Sequence, residues 1–296
     1  MSAINPSAGE EFGLATGTSG RRLVPGSARR PARMPIRRRT RFVPKPSPTW
    51  GWALGPALLL LFWSLGSATG VIDHRILPAP WVAVTTGASL IAEGRLQSNL
   101  LASLGRVGAG LVLGVTAGVV GALPSGLTRI GGQLLDGLVQ IKRAIPLFAL
   151  VPFFILWFGI GETMKVTVIA IGVFFPIYLN TYHALRNIDL RYVELAETLQ
   201  VRYRDFLLQI VLPGALPGFL LGLRFAVMTA WLSLIVVEQT NATSGIGYMT
   251  NLAVSYAQTD VMLVGLVLYA VLGVASDTAI RVLQRSLLPW QRTIAG

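Results

Sequence analysis

The sequence predicts an all-α membrane protein with six transmembrane helices behind a disordered, basic N-terminal tail. Three observations carry this. Apolar residues make up 53% of the 296 and charged residues only 13%, with a mean hydropathy of +0.61; an ordinary soluble domain carries roughly 25% charge. Apolar runs of 18 to 22 residues recur along the chain, near the about 20 that one bilayer crossing needs. Lys and Arg fall overwhelmingly on one side of the crossings so defined. The absence of Cys excludes disulfides and thiolate sites, and two His, His74 and His183, are too few for a histidine metal cluster.

Residues 1–49 hold 10 of the 25 Lys and Arg, from Arg21 to Lys45, against Glu10 and Glu11. The segment is rich in Pro, Ser and Gly and has no apolar period, the composition of a disordered tail. No aromatic residue is interleaved among the arginines from Arg21 to Arg41. A cytoplasmic tail is therefore favoured over a nucleic-acid-binding one. The apolar run that follows is too long for a cleaved signal peptide.

Residues 50–290 then form the membrane domain. Trp50–Val71 and Val107–Thr128 are 22 residues each without a charge, Ala144–Gly161 is 18 and Val166–Leu185 is 20. Phe206–Leu223 is interrupted by Pro213 and Pro217 and splits into a surface helix and the start of a span. Val261–Ile280 is charged only at Asp277. The expected spans are 50–71, 99–123, 138–158, 165–185, 216–238 and 260–280. Lys142 and Arg143 anchor the third at the inner leaflet. Both termini inside puts 20 Lys and Arg on the inner side and four on the outer: Arg75, Arg95, Arg106 and Lys165. Gly110, Gly114 and Gly118, spaced i, i+4, i+8, mark a close helix-helix seam. Pro146, Pro152 and Pro176 kink spans three and four.

The longest inner loop between spans, 186–213, reads as two short amphipathic helices. Asp189 is a good N-cap for the first, with Leu190, Val193 and Leu199 as its apolar positions and Glu194 and Glu197 polar. The second runs from Tyr203 to Val211, with Phe206, Leu207 and Ile210 on one face, and Pro213 ends it. Such a pair makes a docking knob for a cytoplasmic partner.

This loop resembles the coupling signature of bacterial ABC importer permeases: Glu-Ala-Ala, three residues, Gly, nine residues, Ile, one residue, Leu-Pro. Glu194, Ala196, Ile210, Leu212 and Pro213 match it, while Leu195 stands for the first Ala and Gln200 for the Gly. Gly is favoured at such a turn because φ > 0 is free to it; Gln there costs on the order of 1 kcal/mol. The stretches 157–162 and 172–178 resemble the nitrate/sulfonate/taurine branch of these permeases. Gly222-Leu223-Arg224-Phe225-Ala226, Ala230-Trp231, Val237-Glu238-Gln239-Thr240 and Ser244-Gly245-Ile246-Gly247-Tyr248 most resemble its aliphatic-sulfonate members.

The resemblance covers about residues 50–290 and implies a methionine-importer-type permease fold of five core helices, here with one more in front. It implies the permease subunit of an ATP-driven importer in the bacterial inner membrane, not itself an enzyme. Its expected partners are a second permease copy, two cytoplasmic ATPase subunits that bind ATP and Mg, and an extracytoplasmic binding protein. A homodimer follows from one signature loop per chain serving two ATPases. No cofactor, metal or nucleic acid is expected on this chain. The implied coupling residues are Glu194, Ala196, Glu197, Gln200, Ile210, Leu212 and Pro213. Arg224, Trp231 and Glu238 are the candidate path residues: Arg224 meets an anionic head group or pairs with Asp277, and Glu238 is a gate or a solvated helix end. The cargo expected is an aliphatic sulfonate, with nitrate, taurine or a vitamin precursor as alternatives.

Two other classes fit less well. An autonomous secondary transporter would show internal repeats and acids in mid-membrane, and neither is evident. A membrane enzyme would need paired carboxylates, a His-rich motif or a Gly-x-Ser-x-Gly elbow. The sequence has none of these, and no Gly-x4-Gly-Lys-Ser/Thr phosphate loop.

Overall fold

Hydrophobic runs without partners for backbone groups fold as helices, because only a helix satisfies every N–H and C=O within one segment in hydrocarbon. The computed structural model describes residues 51–128, 137, 139 and 145–290, and every regular element among them is helical. The expected tail, the anchors Lys142 and Arg143 and the beginning of the third expected span lie outside the described residues. In chain order the helices are α1 (Gly51–Ala68), α2 (Pro80–Ala92), α3 (Arg95–Leu127), α4 (Val151–Phe158), α5 (Glu162–Arg186), α6 (Leu190–Thr198), α7 (Tyr203–Phe206), α8 (Leu212–Asn241), α9 (Ile246–Ser255) and α10 (Thr259–Leu287). Among the described residues, four helical runs are long and apolar enough to cross a membrane: α3, α5, the run Tyr203–Thr240, and α10.

Three differences from the sequence expectation have physical causes. The third expected span, 138–158, is not one continuous helix. Ile145 lies in a bend, Pro146 is extended at φ −59° and ψ 130°, and a 3-10 turn at Leu147–Leu150 precedes α4. A residue before proline is pushed out of the helical region, which accounts for the break. Second, Pro213 does not end the loop's second helix. Leu207–Val211 forms a π-helical turn that joins α7 to α8, and the Leu212 N–H reaches back five residues to the Leu207 carbonyl. The wider turn makes room for the proline ring, which would otherwise press on the carbonyl four residues earlier. Third, α2 and α9 were not foreseen. Both are short, at 13 and 10 residues, below the length by which spans are recognised.

The helices α3, α5 and α8 pack as a three-layer stack, with α5 central. Gly110, Gly114 and Gly118 make the predicted seam. A Cβ at Gly114 would lie 2.5 Å from the Ala170 carbonyl oxygen, and one at Gly118 2.7 Å from Ile177. The other face of α5 meets a second seam on α8, where a Cβ at Gly222 would lie 2.8 Å from the Pro176 carbonyl oxygen. Between them sits the main core of Val107, Phe154, Val168, Ile169, Val173, Ile177, Ala226, Ala230, Leu234 and Val237. A second cluster, with Leu90, Leu96, Met249, Ala253, Val261 and Val264, fastens α2 and α9 to α3 and α10.

Candidate functional site

The loop between α5 and α8 is a knob built on the end of the stack. Asp189 caps α6, its carboxylate accepting the Arg191 N–H at 3.0 Å. The helix closes at Gln200, which stands at φ +50°. The Val201 N–H donates to the Ala196 carbonyl at 2.9 Å and the Gln200 N–H to the Glu197 carbonyl at 3.0 Å. These two bonds are the Schellman closure, in which the residue after the helix takes the left-handed conformation. Gln200 thus adopts the conformation for which the family signature has Gly.

The face that α6 buries is narrower than expected. Ala196 is its buried residue and Val193 is half-buried, whereas Leu190 and Leu199 are 72% and 65% exposed. Val193, Ala196, Glu197, Val201, Tyr203 and Phe206 line a small cleft between the two helices. The knob is rooted by Leu185, Val211 and Ala215, with Ile188, Phe206 and Leu207 against them. Its outer surface carries Leu190, Tyr192, Leu195, Leu199 and Tyr203, all more than half exposed, with exposed Glu194 and Glu197 among them. Of the other signature positions, Ile210 and Pro213 are half-buried and Leu212 is exposed, all on the continuous run from the knob into α8.

At the other end of α8 stands a buried ion network. The Glu238 side chain is 0% exposed and lies 2.6 Å from Arg106, whose side chain is 5% exposed. Ser103 donates to Glu238 at 2.8 Å, and Glu238 accepts the Gly247 N–H at 2.8 Å. Ser103 accepts the Ile246 N–H at 2.9 Å, and Asn99 accepts the Gly245 N–H at 2.8 Å. The free N–H groups at the start of α9 are thus capped from α3 and α8, where an acid is also favoured by the helix dipole. Gly245, at φ +116°, and Gly247 leave the space that the Glu238 side chain fills. Arg106 also donates through Nε and Nη2 to Glu162 at 2.6 and 2.7 Å, and to the Ser244 carbonyl and hydroxyl at 2.6 and 3.0 Å. Lys165 donates to Glu162 at 2.8 Å.

The three candidate path residues are therefore not brought together. Glu238 is no solvated helix end. Trp231 is 8% exposed and donates to Ser276 on α10 at 3.1 Å. Arg224 donates through Nε to Asp277 at 2.5 Å, and Arg281 also donates to Asp277 through Nε, at 2.7 Å. Arg224 keeps 33% of its side chain exposed. Sequence reasoning missed the roles of Arg106, Glu162 and Lys165, having read Arg106 and Lys165 as outer-side charges. It also missed the seam at Gly218 and Gly222, whose i, i+4 spacing repeats that of the seam it found.

Comparison with known proteins agrees with this architecture. Residues 110–289 match the family model described as binding-protein-dependent transport system inner membrane component. The chain is 42% identical over 239 residues to the "Putative aliphatic sulfonates transport permease protein SsuC" of Escherichia coli (strain K12), covering 81% of this chain and 90% of that protein. It is 36% identical over 250 residues to the protein of the same name in Bacillus subtilis (strain 168), covering 83% and 91%. The taurine transport system permease protein TauC of Escherichia coli (strain K12) is 29% identical over 255 residues, covering 81% and 93%. Among solved structures, a chain from the crystal structure of an amino acid ABC transporter with histidines superposes with TM-score 0.56 at 18% identity, covering 67% of this chain and 97% of that one.

Proposed function

This chain belongs to the family of binding-protein-dependent transport system inner membrane components; it is a permease subunit of an ABC importer, and we propose that its cargo is an aliphatic sulfonate. The names of the Escherichia coli and Bacillus subtilis relatives, at 42% and 36% identity, support the cargo. So does chemistry: a sulfonate is a permanent anion and cannot cross about 30 Å of hydrocarbon unaided.

The observation that carries the mechanism is the knob. Its rooted base and exposed apolar cap suit a surface gripped by another protein, here one of two cytoplasmic ATPase subunits that bind ATP and Mg. The helix from Tyr203 to Asn241 runs on from knob to ion network through the π turn. At 1.5 Å per residue that is a strut of roughly 55–60 Å. Closure of the ATPases on ATP would push the knob as a rigid body, tilt this strut and α5, and open the path outward; hydrolysis resets it. Glu194, Glu197 and the Gln200 turn form the gripped surface, and Ala196, Ile210, Leu212 and Pro213 hold its shape.

In this reading six spans cross the inner membrane, counting α1 and the run around α4, with both ends cytoplasmic. The functional unit is a homodimer served by an extracytoplasmic binding protein. Arg224 lines the path, being the only one of the three candidates with substantial exposed side chain. Trp231 and Glu238 support the wall from behind. The tail, residues 1–49, sits in the cytoplasm and is dispensable for turnover.

The test of the cargo is growth of a deletion strain on single sulfur sources. Loss of growth on alkanesulfonates with growth on sulfate intact is the expected result. Unchanged sulfonate growth beside a taurine or nitrate defect would overturn the cargo and leave the permease assignment standing.

A further inference from the structure

Two buried cations at the start of α5 share one exposed carboxylate. The side chains of Arg106 and Lys165 are 5% and 3% exposed, while that of Glu162, which accepts from both, is 59% exposed. This inverts the usual order, in which a buried charge is matched by an equally buried partner. All five N–H groups of Arg106 are used, on Glu162, Glu238 and Ser244. The Lys165 ammonium has three N–H groups and, among the described residues, donates once, to Glu162. A nearly fully buried ammonium with two donors to spare is matched to a ligand with more oxygens than a carboxylate offers.

We propose that Glu162 is a built-in, exchangeable occupant of an oxyanion site, and that the sulfonate head of the cargo takes its place on Arg106, Lys165 and Ser244. The proposal rests on the sulfonate reading above for the identity of the cargo, but not for the existence of the site. A sulfonate carries three oxygens: two meet the fork of Arg106 Nε and Nη2, and the third meets Lys165. The Ser244 hydroxyl, 3.0 Å from Nη2, stands beside them. Glu162 can leave because 59% of its side chain is exposed, so water takes over its solvation while the sulfonate takes over the bonds it made to Arg106 and Lys165. Glu238 stays, fully buried on Nη1 of Arg106, so the guanidinium keeps its orientation after the exchange. The site also lies at the first turn of α5, where the helix dipole favours an anion. A tethered carboxylate competing for the cations keeps the site weak, which suits a waypoint that must release what it binds.

The test uses the full-length chain in phosphatidylcholine nanodiscs, with trifluoromethanesulfonate as probe and its 19F linewidth as readout. Removing the competitor by Glu162→Ala is expected to tighten probe binding about tenfold or more. Adding Lys165→Gln should abolish the gain, and Lys165→Arg in the same background should restore part of it. Thermal melts check that each variant is folded, and Glu162→Gln, which keeps the side-chain volume, is expected to show a smaller gain of the same sign. Equal probe binding in wild type, Glu162→Ala and the Lys165→Gln double variant would overturn the proposal and leave a structural ion pair only. Loss of the Glu162→Ala gain when anionic phospholipid replaces phosphatidylcholine would assign the site to a lipid phosphate and overturn the cargo role. Tightened binding in a protein whose deletion leaves sulfonate growth intact would retain the anion site and reject the cargo. A sulfonate growth defect without tightened binding would do the reverse.

Discussion

Arg106 and Glu238, 132 residues apart in sequence, face each other at 2.6 Å in the interior of the helix stack. Between them they tie α3, α5, α8 and the start of α9 into one block. Removing one partner of a buried pair leaves an uncompensated charge and costs about 3–5 kcal/mol. Arg106→Met is therefore expected to lower the melting temperature of the detergent-purified chain strongly. Arg106→Met combined with Glu238→Gln should cost clearly less than the two single changes added together. Additivity within about 0.5 kcal/mol would show that the two side chains do not depend on each other.

Gln200 closes α6 in the left-handed region at φ +50°. A side chain there costs on the order of 1 kcal/mol, and glycine does not pay it. Gln200→Gly should be neutral or stabilising by a few tenths to about 1 kcal/mol. Thermal melts of the assembled complex decide it, and a fall of that size would mean that Gln200 is helical in the complex.

The seam between α3 and α5 distinguishes two glycines of one helix. Gly114→Ala places a methyl 2.5 Å from the Ala170 carbonyl oxygen and against Val173, whereas Gly108 has nothing within 4 Å. Gly114→Ala is expected to destabilise by about 1–3 kcal/mol. Gly108→Ala should be neutral or stabilising by about 0.5–1 kcal/mol. Similar melting temperatures for the two variants would contradict this packing.

Glu194 is exposed on the knob; its backbone carbonyl accepts from the Thr198 hydroxyl, and among the described residues its side chain makes no hydrogen bond. Glu194→Lys should leave membrane abundance and melting temperature unchanged, since exposed substitutions stay within about 0.5 kcal/mol. Transport and substrate-stimulated ATP hydrolysis by the assembled complex should fall at least about tenfold, as expected when a docking surface presents the reversed charge to its partner. Normal stimulated hydrolysis would remove Glu194 from the coupling surface.

Truncation of residues 1–49 should preserve turnover. The Lys and Arg excess on the inner side persists at ten against four without them. Lost transport at normal membrane abundance would give the tail a partner.

Much of this protein was legible along the chain. The long spans α3, α5 and α10, the capped start of α6 at Asp189 and the glycine seam on α3 all follow from local signals. The sequence could not show that the helix from Tyr203 passes through Pro213, because a proline stops an α-helical turn but not a π turn. It placed Leu190 and Leu199 on one face with Val193, whereas Ala196 is the side chain that packs inward. A small residue near a tight closure outweighs larger ones when the neighbouring helix approaches closely.

By itself the sequence determined the helical class, most of the membrane segments, the knob and the family, because these rest on composition, period and residues close together in the chain. Backbone groups in hydrocarbon must be satisfied within their own segment, so each long apolar run specifies its own helix. Only the tertiary structure decided that Glu238 is buried against Arg106, that Arg224 holds its guanidinium on Asp277, and that Arg106 reaches Glu162 on α5. These depend on which faces of distant helices meet, and that is settled by how closely two backbones approach at Gly110, Gly114, Gly118 and Gly222.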